Sequence, residues 1–274
     1  MPDDQFVTDG KPLIHAATVL LLRDGPAGLE VFMVVRHHQI DSFSGALVFP
    51  GGKVDETDLS VRPHCRGENT MTDLQVETRV GAVREAFEEC GVLLAMDEGE
   101  DKLVSPERLK SLEPEYRLPI RDGEKLISTM CDDQNLTLAI DRLVPFAHWV
   151  TPPMAPKIFN TYFYLAEAPN DQLALHDGEE STDSEWIRPA DAIAAAEDGN
   201  RTLVFPTRMN LWKLSQSNSV AEALENARRD RFVMVQPKAG KHPEGRILSI
   251  PEAAGYGGSD FLVKDGGLFI RPLD

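Results

Sequence analysis

Three glutamates and an arginine lie within six residues of the segment VREAFEECGV, at Arg84, Glu85, Glu88 and Glu89. An α-helix advances about 100° per residue, so the three carboxylates would share a wedge of about 100°. Like charges this close cost a few tenths of a kcal/mol per pair. A hard cation such as Mg²⁺ or Mn²⁺, which prefers oxygen ligands, would offset that repulsion. The spacing therefore favours either a cation site or a solvated acidic helix face.

The helix that would carry these residues has clear boundaries in the sequence. Thr72 and Gln75 are spaced as a capping box, and Gly91 is a typical helix stop. Apolar residues between them recur at steps of four, three, four and three, at Val76, Val80, Val83, Phe87 and Cys90. This stripe predicts a helix over residues 73–90.

Two apolar, β-rich runs precede the helix, HAATVLLLRD (15–24) and LEVFMVVRH (29–37). The turn sequence GPAG between them predicts a β-hairpin. The next segment, ALVFPGGKVD, predicts a short strand followed by a turn at Gly51-Gly52. Residues 56–71 are polar and lack a clear period, so we expect a loop there. The carboxylate helix would thus follow a sheet, a glycine turn and a loop.

In the rest of the chain, predicted helices alternate with predicted strands. The patterns predict helices over 105–115 and 189–199, a strand pair over 143–152 and 158–168, a short strand over 184–187, two further helices and short terminal strands. The segment EDGN, near residue 199, is the nearest thing to a boundary. We therefore expect a domain over 12–199, with an insertion at about 59–76, and an extension over 200–274 packed on it.

The segments GGKVDETD and REAFEECGV together resemble the Nudix box, G-x5-E-x7-R-E-U-x-E-E-x-G-U, in which U is a bulky apolar residue. Gly52 fits the opening glycine, and the second half matches at Arg84, Glu85, Glu88, Glu89, Gly91 and Val92. Asp58 stands where the pattern has glutamate, and 25 residues separate it from Arg84 where the pattern has seven. The sequence leaves open whether Asp58 or Glu56 takes the part of the family's first acid.

Nudix hydrolases are α/β/α sandwiches with a mixed sheet, so the resemblance implies an α+β fold. They use Mg²⁺ or Mn²⁺ to hydrolyse a diphosphate linked to another moiety. Carried over by position, Glu85 and Glu89 would be the principal metal ligands and Glu88 a ligand or proton acceptor. Arg84 would orient the glutamates, and the Gly51-Gly52 turn would allow a close approach. A further acid ligand is expected in LHDGEESTDSEWI, at Glu180 or Glu179.

The insertion, the segment TPPMAPKIFNTYFYLAEA and the tail resemble the Nudix branch that contains a peroxisomal acyl-coenzyme A diphosphatase. A coenzyme A-related pattern, R-S-x3-R-x3-G-x3-F-P-G-G, matches at Arg36 and Gly45 and at residues 49–52, but not at His37 or Asp41. Arg36 is then either a phosphate contact or a surface charge. Coenzyme A or an acyl-coenzyme A is the expected substrate. The alternatives are ADP-ribose, NADH or a dinucleotide, or a binding module without catalysis.

Charge and composition narrow the classes of partner. The net charge of −17 disfavours nucleic acid, including an RNA-decapping role, and anionic membranes. The sequence contains no run of 18 apolar residues, so we expect no membrane-spanning helix, and the N-terminal segment has no secretory pattern. The three scattered cysteines fit a reducing cytoplasm. We therefore expect a cytoplasmic protein with a small-molecule substrate, and a homodimer is possible.

Overall fold

The computed structural model describes residues 6–36, 45–169, 172, 181–264 and 269–273. In these residues the strands are β1 (Leu13–Gly25), β2 (Gly28–Arg36), β3 (Leu47–Val48), β4 (Gly51–Lys53), β5 (Ala95–Asp97), β6 (Leu136–Leu138), β7 (Val144–Val150), β8 (Ile158–Glu167), β9 (Ser181–Ile187), β10 (Met234–Val235), β11 (Lys238–His242), β12 (Gly245–Ser249), β13 (Asp260–Lys264) and β14 (Phe269–Pro272). The α-helices are α1 (Asp73–Cys90), α2 (Pro106–Arg121), α3 (Ile127–Gln134), α4 (Pro189–Glu197), α5 (Phe205–Leu214) and α6 (Val220–Arg229).

A mixed sheet is the centre of the fold, and eight strands of the described part of the chain belong to it. Its strands follow the order β10-β7-β8-β1-β2-β3, while β4 pairs with β1 and β9 pairs with β2. The predicted hairpin of β1 and β2 is antiparallel, as is the predicted pair of β7 and β8. The central β1 and β8 are parallel, which makes the sheet mixed. The predicted α+β fold with a mixed sheet is confirmed.

The long strand β1 buries both of its faces. Ala17, Val19 and Leu21 belong to the core that α1 covers, whereas Leu20 and Leu22 belong to the core that α5 and α6 cover. Successive side chains of a strand point to opposite faces, so a continuous apolar run suits a strand with helices on both sides. The sheet is therefore the middle layer of a sandwich.

The glycine pair was predicted as a turn, and this prediction is wrong. Gly51 and Gly52 lie in the strand β4, which pairs antiparallel with the first half of β1. The second half of β1 pairs instead with β2, from Leu22 onwards. The two glycines read as turn residues because their sequence carries no sign of a distant strand partner. Strand β1 therefore changes its partner along its length.

Helix α1 begins and ends where the sequence predicted. Thr72 Oγ1 accepts the Gln75 N–H at 3.3 Å, and Gln75 Oε1 accepts the Thr72 N–H at 3.0 Å, which completes the capping box. The predicted apolar stripe is fully buried. Gly91 ends the helix with a φ of 65°, a left-handed conformation that glycine adopts without strain.

The segment 56–71 was predicted as a loop, but it contains two 3₁₀ helices, Asp58–His64 and Glu68–Thr70. Arg62 holds them together, since Nη2 donates to the carbonyl oxygens of Glu68 and Met71. Short 3₁₀ turns held by one side chain have no apolar period, so the pattern could not reveal them. The inserted segment is thus packed against the start of α1.

Helix α2 was predicted to end at residue 115 but continues to Arg121, through Pro114 and Pro119. The prolines remove backbone hydrogen bonds, yet the apolar face continues past them with Tyr116 and Ile120, which are buried. Burial of that face compensates for the lost bonds. Helix α3 and the strand pair β5–β6 were not predicted.

Residues after 200 contribute to both the main sheet and a second sheet. Strand β10 pairs parallel with β7, and β11 to β14 form a four-stranded antiparallel sheet. Trp149 Nε1 donates to Tyr256 Oη at 3.0 Å and to Asn210 Oδ1 at 3.2 Å, which ties this region to β7. The boundary near residue 199 stays a prediction. Among the helices in the described residues, none combines the length and apolar character that crossing a membrane requires.

Candidate active site

The guanidinium of Arg84 is the centre of a buried ionic network. Its Nε donates to Asp58 Oδ1 at 2.9 Å, and its Nη1 donates to Glu85 Oε1 at 2.9 Å and to Glu88 Oε1 at 3.2 Å. Nη2 donates to the carbonyl oxygen of Lys53 at 2.7 Å. One side chain therefore joins the helix α1, the strand β4 and the 3₁₀ helix that begins at Asp58.

Asp58, and not Glu56, is the acid that pairs with Arg84. Its carboxylate is fully buried and also accepts the Asp55 N–H at 2.8 Å. Burial raises the pKa of the Asp58 carboxyl, and the hydrogen bonds from Arg84 oppose that rise. For Arg84, burial alone would lower the pKa, but the bonds and charges of Asp58, Glu85 and Glu88 together raise it.

The two glycines of β4 let its backbone pass beside the carboxylates of α1. The Gly51 N–H donates to Glu89 Oε2 at 3.1 Å. A Cβ atom at residue 52 would lie 2.5 Å from Glu85 Oε1, closer than real Cβ atoms come to any neighbour. The position therefore requires glycine as long as Glu85 keeps its place.

The glutamates do not form a solvated helix face. Glu85 is 9% exposed and Glu88 is 7% exposed, whereas Glu89 is half-buried. Buried carboxylates are costly unless charged or hydrogen-bonding partners compensate for them. Arg84 supplies such a partner to two of them and the Gly51 amide supplies one to the third. This burial excludes the solvated acidic helix face, which is one of the two interpretations that the spacing alone left open.

A cavity of about 750 Å³ opens beside these carboxylates. Its charged lining comes from β4, the segment after it, α1 and α2, which together form what we call the acidic wall. Among the residues that the structure describes, five carboxylates belong to this wall: Asp55, Glu56, Glu85, Glu88 and Glu89. The described cations of the wall are Lys53, Arg84 and Arg121.

The donor set of the acidic wall fits a hard divalent cation. It offers oxygen ligands alone, and its described carboxylates outnumber its described cations, so a bound divalent cation would offset an excess of negative charge. Within the described ranges, no three His, Cys, Asp or Glu side chains already converge as a set of metal ligands. In this arrangement Glu85 and Glu88 accept from Arg84, and Glu89 accepts from the Gly51 amide. Glu85, Glu88 and Glu89 are the residues that would hold a metal.

Another part of the cavity lining has a different chemistry. The residues that β1, β8 and the start of α5 contribute to it are uncharged: Thr18, Thr161, Phe163, Val204, Pro206 and Thr207. We call them the uncharged wall. The cavity can therefore accommodate a molecule with a charged part and an uncharged part.

Arg121 was not among the residues that the sequence singled out. It is the last residue of α2 and lines the cavity beside the glutamates. Arg117 Nε donates to the Glu88 carbonyl oxygen at 3.0 Å, which fixes α2 against the end of α1. The apolar face of α2 continues beyond the two prolines, and this pattern could have shown that the helix extends to Arg121.

Two predicted site residues cannot be placed. Arg36 ends β2, where its backbone pairs with Ser181, but its side chain is outside the described residues. Glu180, with its neighbour Glu179, also lies outside the described residues. Their predicted roles therefore stay predictions. The structure does bring together Gly51, Gly52 and the four charged residues of the box on α1.

The fold and the box define a Nudix domain, and comparison with known families agrees. The model of the NUDT19 Nudix domain matches residues 63–214, which is more than half of the chain. The chain therefore belongs to the NUDT19 Nudix domain family. The match contains all of α1, while Asp58 and the two glycines of β4 precede it.

Individual relatives are more distant. A putative nudix hydrolase 7 of Caenorhabditis elegans is 29% identical over 68% of this chain and 56% of its own length. Acyl-coenzyme A diphosphatases NUDT19 are each 24% identical, that of Xenopus laevis over 60% of this chain and 54% of its own length, and that of Gallus gallus over 80% and 74%. The chain thus spans little more than half the length of two of these relatives.

A solved structure supports the fold. The crystal structure of a NUDIX hydrolase from Alicyclobacillus acidocaldarius has a TM-score of 0.66 to this chain at 24% identity. The similarity covers 79% of this chain and 97% of the other. At this level of identity the likeness concerns the fold and not the substrate.

Proposed function

We propose that this protein hydrolyses the diphosphate linkage of coenzyme A or of an acyl-coenzyme A with the help of Mg²⁺ or Mn²⁺. The observation that carries the proposal is one cavity with two kinds of wall. Glu85, Glu88 and Glu89 belong to its acidic wall, and the residues of the uncharged wall line the same cavity. Relatives named acyl-coenzyme A diphosphatase support the choice of substrate.

The metal would be held by the three glutamates of α1, and Glu180 is a further proposed ligand. A bound divalent cation supplies charge neutralisation at the phosphate oxygens and a lower pKa for the attacking water. The donors that Arg84 directs at Glu85 and Glu88 keep these carboxylates oriented before any ligand binds. The Gly51 N–H does the same for Glu89.

The remaining steps belong to the side chains of the acidic wall. Water attacks one phosphorus, the bridging P–O bond breaks, and two phosphate monoesters leave. One of the glutamates accepts the proton of the attacking water, which is general base catalysis. Arg121 and Lys53 contact the nonbridging oxygens, and Arg36 is a further proposed phosphate contact. Arg84 acts as a positioning residue because its own donors are directed at Asp58, Glu85, Glu88 and the backbone.

A binding module without catalysis would not need this arrangement. Gathering three carboxylates of low exposure around one arginine carries a desolvation cost, which a chain without a use for the negative charge could avoid with uncharged residues. The network of Arg84 with Asp58, Glu85 and Glu88 is complete in this chain. These contacts favour the enzyme over the binding module.

The proposal is tested by incubating the purified protein with Mg²⁺ or Mn²⁺ and a substrate panel, with products identified by mass. The panel contains coenzyme A, acyl-coenzyme A, ADP-ribose, NADH and diadenosine compounds. We expect 3′,5′-ADP and a phosphopantetheine from the coenzyme A compounds. Turnover of ADP-ribose or a dinucleotide alone would refute coenzyme A compounds as the substrate. Absence of turnover with either metal would refute the hydrolase activity.

A further inference from the structure

The start of α5 is built into the cavity and is held there by the sheet. Val204 is the N-cap residue of α5, Pro206 lies in its first turn, and Thr207 follows. All three line the cavity. Just before them, the Thr202 carbonyl oxygen accepts the Leu47 N–H of β3 at 2.9 Å. This part of the uncharged wall is therefore fixed to the same sheet that carries the glycines of β4.

The chemistry of this wall distinguishes the two ends of the proposed substrate. The nucleotide end of coenzyme A carries a 3′-phosphate, and the wall offers it no charged residue. Burying an unpaired charge costs far more than burying an uncharged group. The pantetheine arm is uncharged and contains amides, which hydroxyl groups such as that of Thr207 can bond. Phe163 and Val204 offer apolar surface to its carbon chain.

We propose that Val204, Pro206 and Thr207 form the subsite for the acyl-pantetheine arm, and that they determine specificity for it. The nucleotide end then extends from the diphosphate away from Val204, Pro206 and Thr207. This inference rests on the proposed function, because it assigns one end of that substrate. It gives the region after residue 200 a role in substrate selection, outside the motif that carries the glutamates.

The variants Val204→Asp and Val204→Thr test the subsite at one position. Aspartate and threonine are both good N-cap residues, so α5 should form in each variant. Threonine keeps the shape of valine, whereas aspartate adds a negative charge to the wall. Met154→Ala, at a side chain that is 63% exposed, is the control outside the cavity.

The measurement is calorimetric binding of 4′-phosphopantetheine and of 3′,5′-ADP, each with Mg²⁺. We expect Val204→Asp to weaken 4′-phosphopantetheine binding about 10-fold or more, because the added charge would lie unpaired against the arm, and to change 3′,5′-ADP binding less than about 2-fold. Val204→Thr should have a smaller effect on the first ligand. Equal weakening of both ligands, an effect on 3′,5′-ADP alone, or no binding of 4′-phosphopantetheine by the unmodified protein would overturn the subsite.

Hydrolysis is measured separately on the same proteins with an acyl-coenzyme A. Selective loss of 4′-phosphopantetheine binding in a protein that hydrolyses no coenzyme A compound would refute the proposed function and leave the subsite standing. Hydrolysis of acyl-coenzyme A with no selective effect of Val204→Asp on ligand binding would refute the subsite and leave the proposed function standing.

Discussion

Arg84 and Asp58 form a buried ion pair across 26 positions of sequence, with the Arg84 Nε 2.9 Å from Asp58 Oδ1. The inserted segment therefore lengthens the box without breaking its geometry. A shorter acid fits here because Asp58 Oδ2 lies 3.2 Å from where a Cβ atom of residue 81 would stand. Space beside Gly81 is limited, which agrees with aspartate in place of the glutamate of the family pattern.

Asp58→Asn should destabilise the protein by about 2–4 kcal/mol, because it leaves the buried Arg84 without one of its charged partners. The measurement is the free energy of unfolding in urea. Glu56→Gln is the matched control, since Glu56 is exposed and its replacement should change stability by about 0.5 kcal/mol or less. Equal stability of the two variants would contradict a structural role for the pair.

Glu89→Gln should lower turnover by about 10²–10⁴-fold, because an amide neither holds a divalent cation well nor accepts a proton. The fold should persist, since the amide oxygen of glutamine can still accept the Gly51 N–H. The measurements are kcat and calorimetric Mn²⁺ affinity, with the exposed Glu100→Gln as control. Wild-type turnover in Glu89→Gln would rule out a role for Glu89 in holding the cation or in accepting the proton.

Gly52→Ala should displace the Glu85 carboxylate, because the added Cβ would stand 2.5 Å from Glu85 Oε1. We expect a loss of about 1–3 kcal/mol in stability together with a fall in kcat. Gly240→Ala is the matched control on another strand, where the Cβ would meet Ile247 at 3.7 Å, an ordinary contact. Both variants are measured by thermal unfolding and by turnover. Unchanged stability and kcat in Gly52→Ala would show that residue 52 can accommodate a Cβ atom beside Glu85.

Arg121→Ala should raise KM about 10-fold and affect kcat less, because the lost guanidinium would contact the substrate phosphates before and during the reaction. The Ki of inorganic pyrophosphate should rise in parallel, which a purely structural role would not produce. Arg121→Lys should restore part of both values. Arg188→Ala, which removes an exposed cation paired with Asp191 away from the cavity, is the control.

The unfolding free energy should fall in alkali partly because of Cys65. Burial raises the pKa of this thiol to about 12, whereas an unfolded thiol ionises near pH 8.5. The unfolded state therefore loses its proton first, so stability falls as pH rises above the unfolded pKa. Between pH 7.5 and 10 the wild type should lose about 1–2 kcal/mol more than Cys65→Ala, measured in urea. Equal losses would contradict the raised pKa.

Local signals in the sequence predicted α1 correctly. The capping box of Thr72 and Gln75, the apolar stripe and Gly91 all act within a few residues, and the helix has the predicted bounds. The same segment could not show that Glu85 and Glu88 are buried, because their burial depends on β4 passing beside them.

Features made by distant contacts were missed or misassigned. The strand at Gly51 and Gly52 depends on its pairing with β1, and the position of Arg121 depends on how α2 packs against the end of α1. The cavity wall from α5 depends on contacts between residues far apart in the chain. None of these relations has a period or a spacing that a single sequence displays.

The carboxylates of α1 are synthesised well before the residues that α5 contributes to the uncharged wall, and this order has a consequence for the nascent chain. Glu89 leaves the ribosome about 120 residues before Thr207, which corresponds to roughly 6–24 s of translation. During that interval α1 can form, but the proposed acyl-pantetheine subsite does not yet exist. A chain released before residue 207 would have its carboxylates without the surface that selects their substrate.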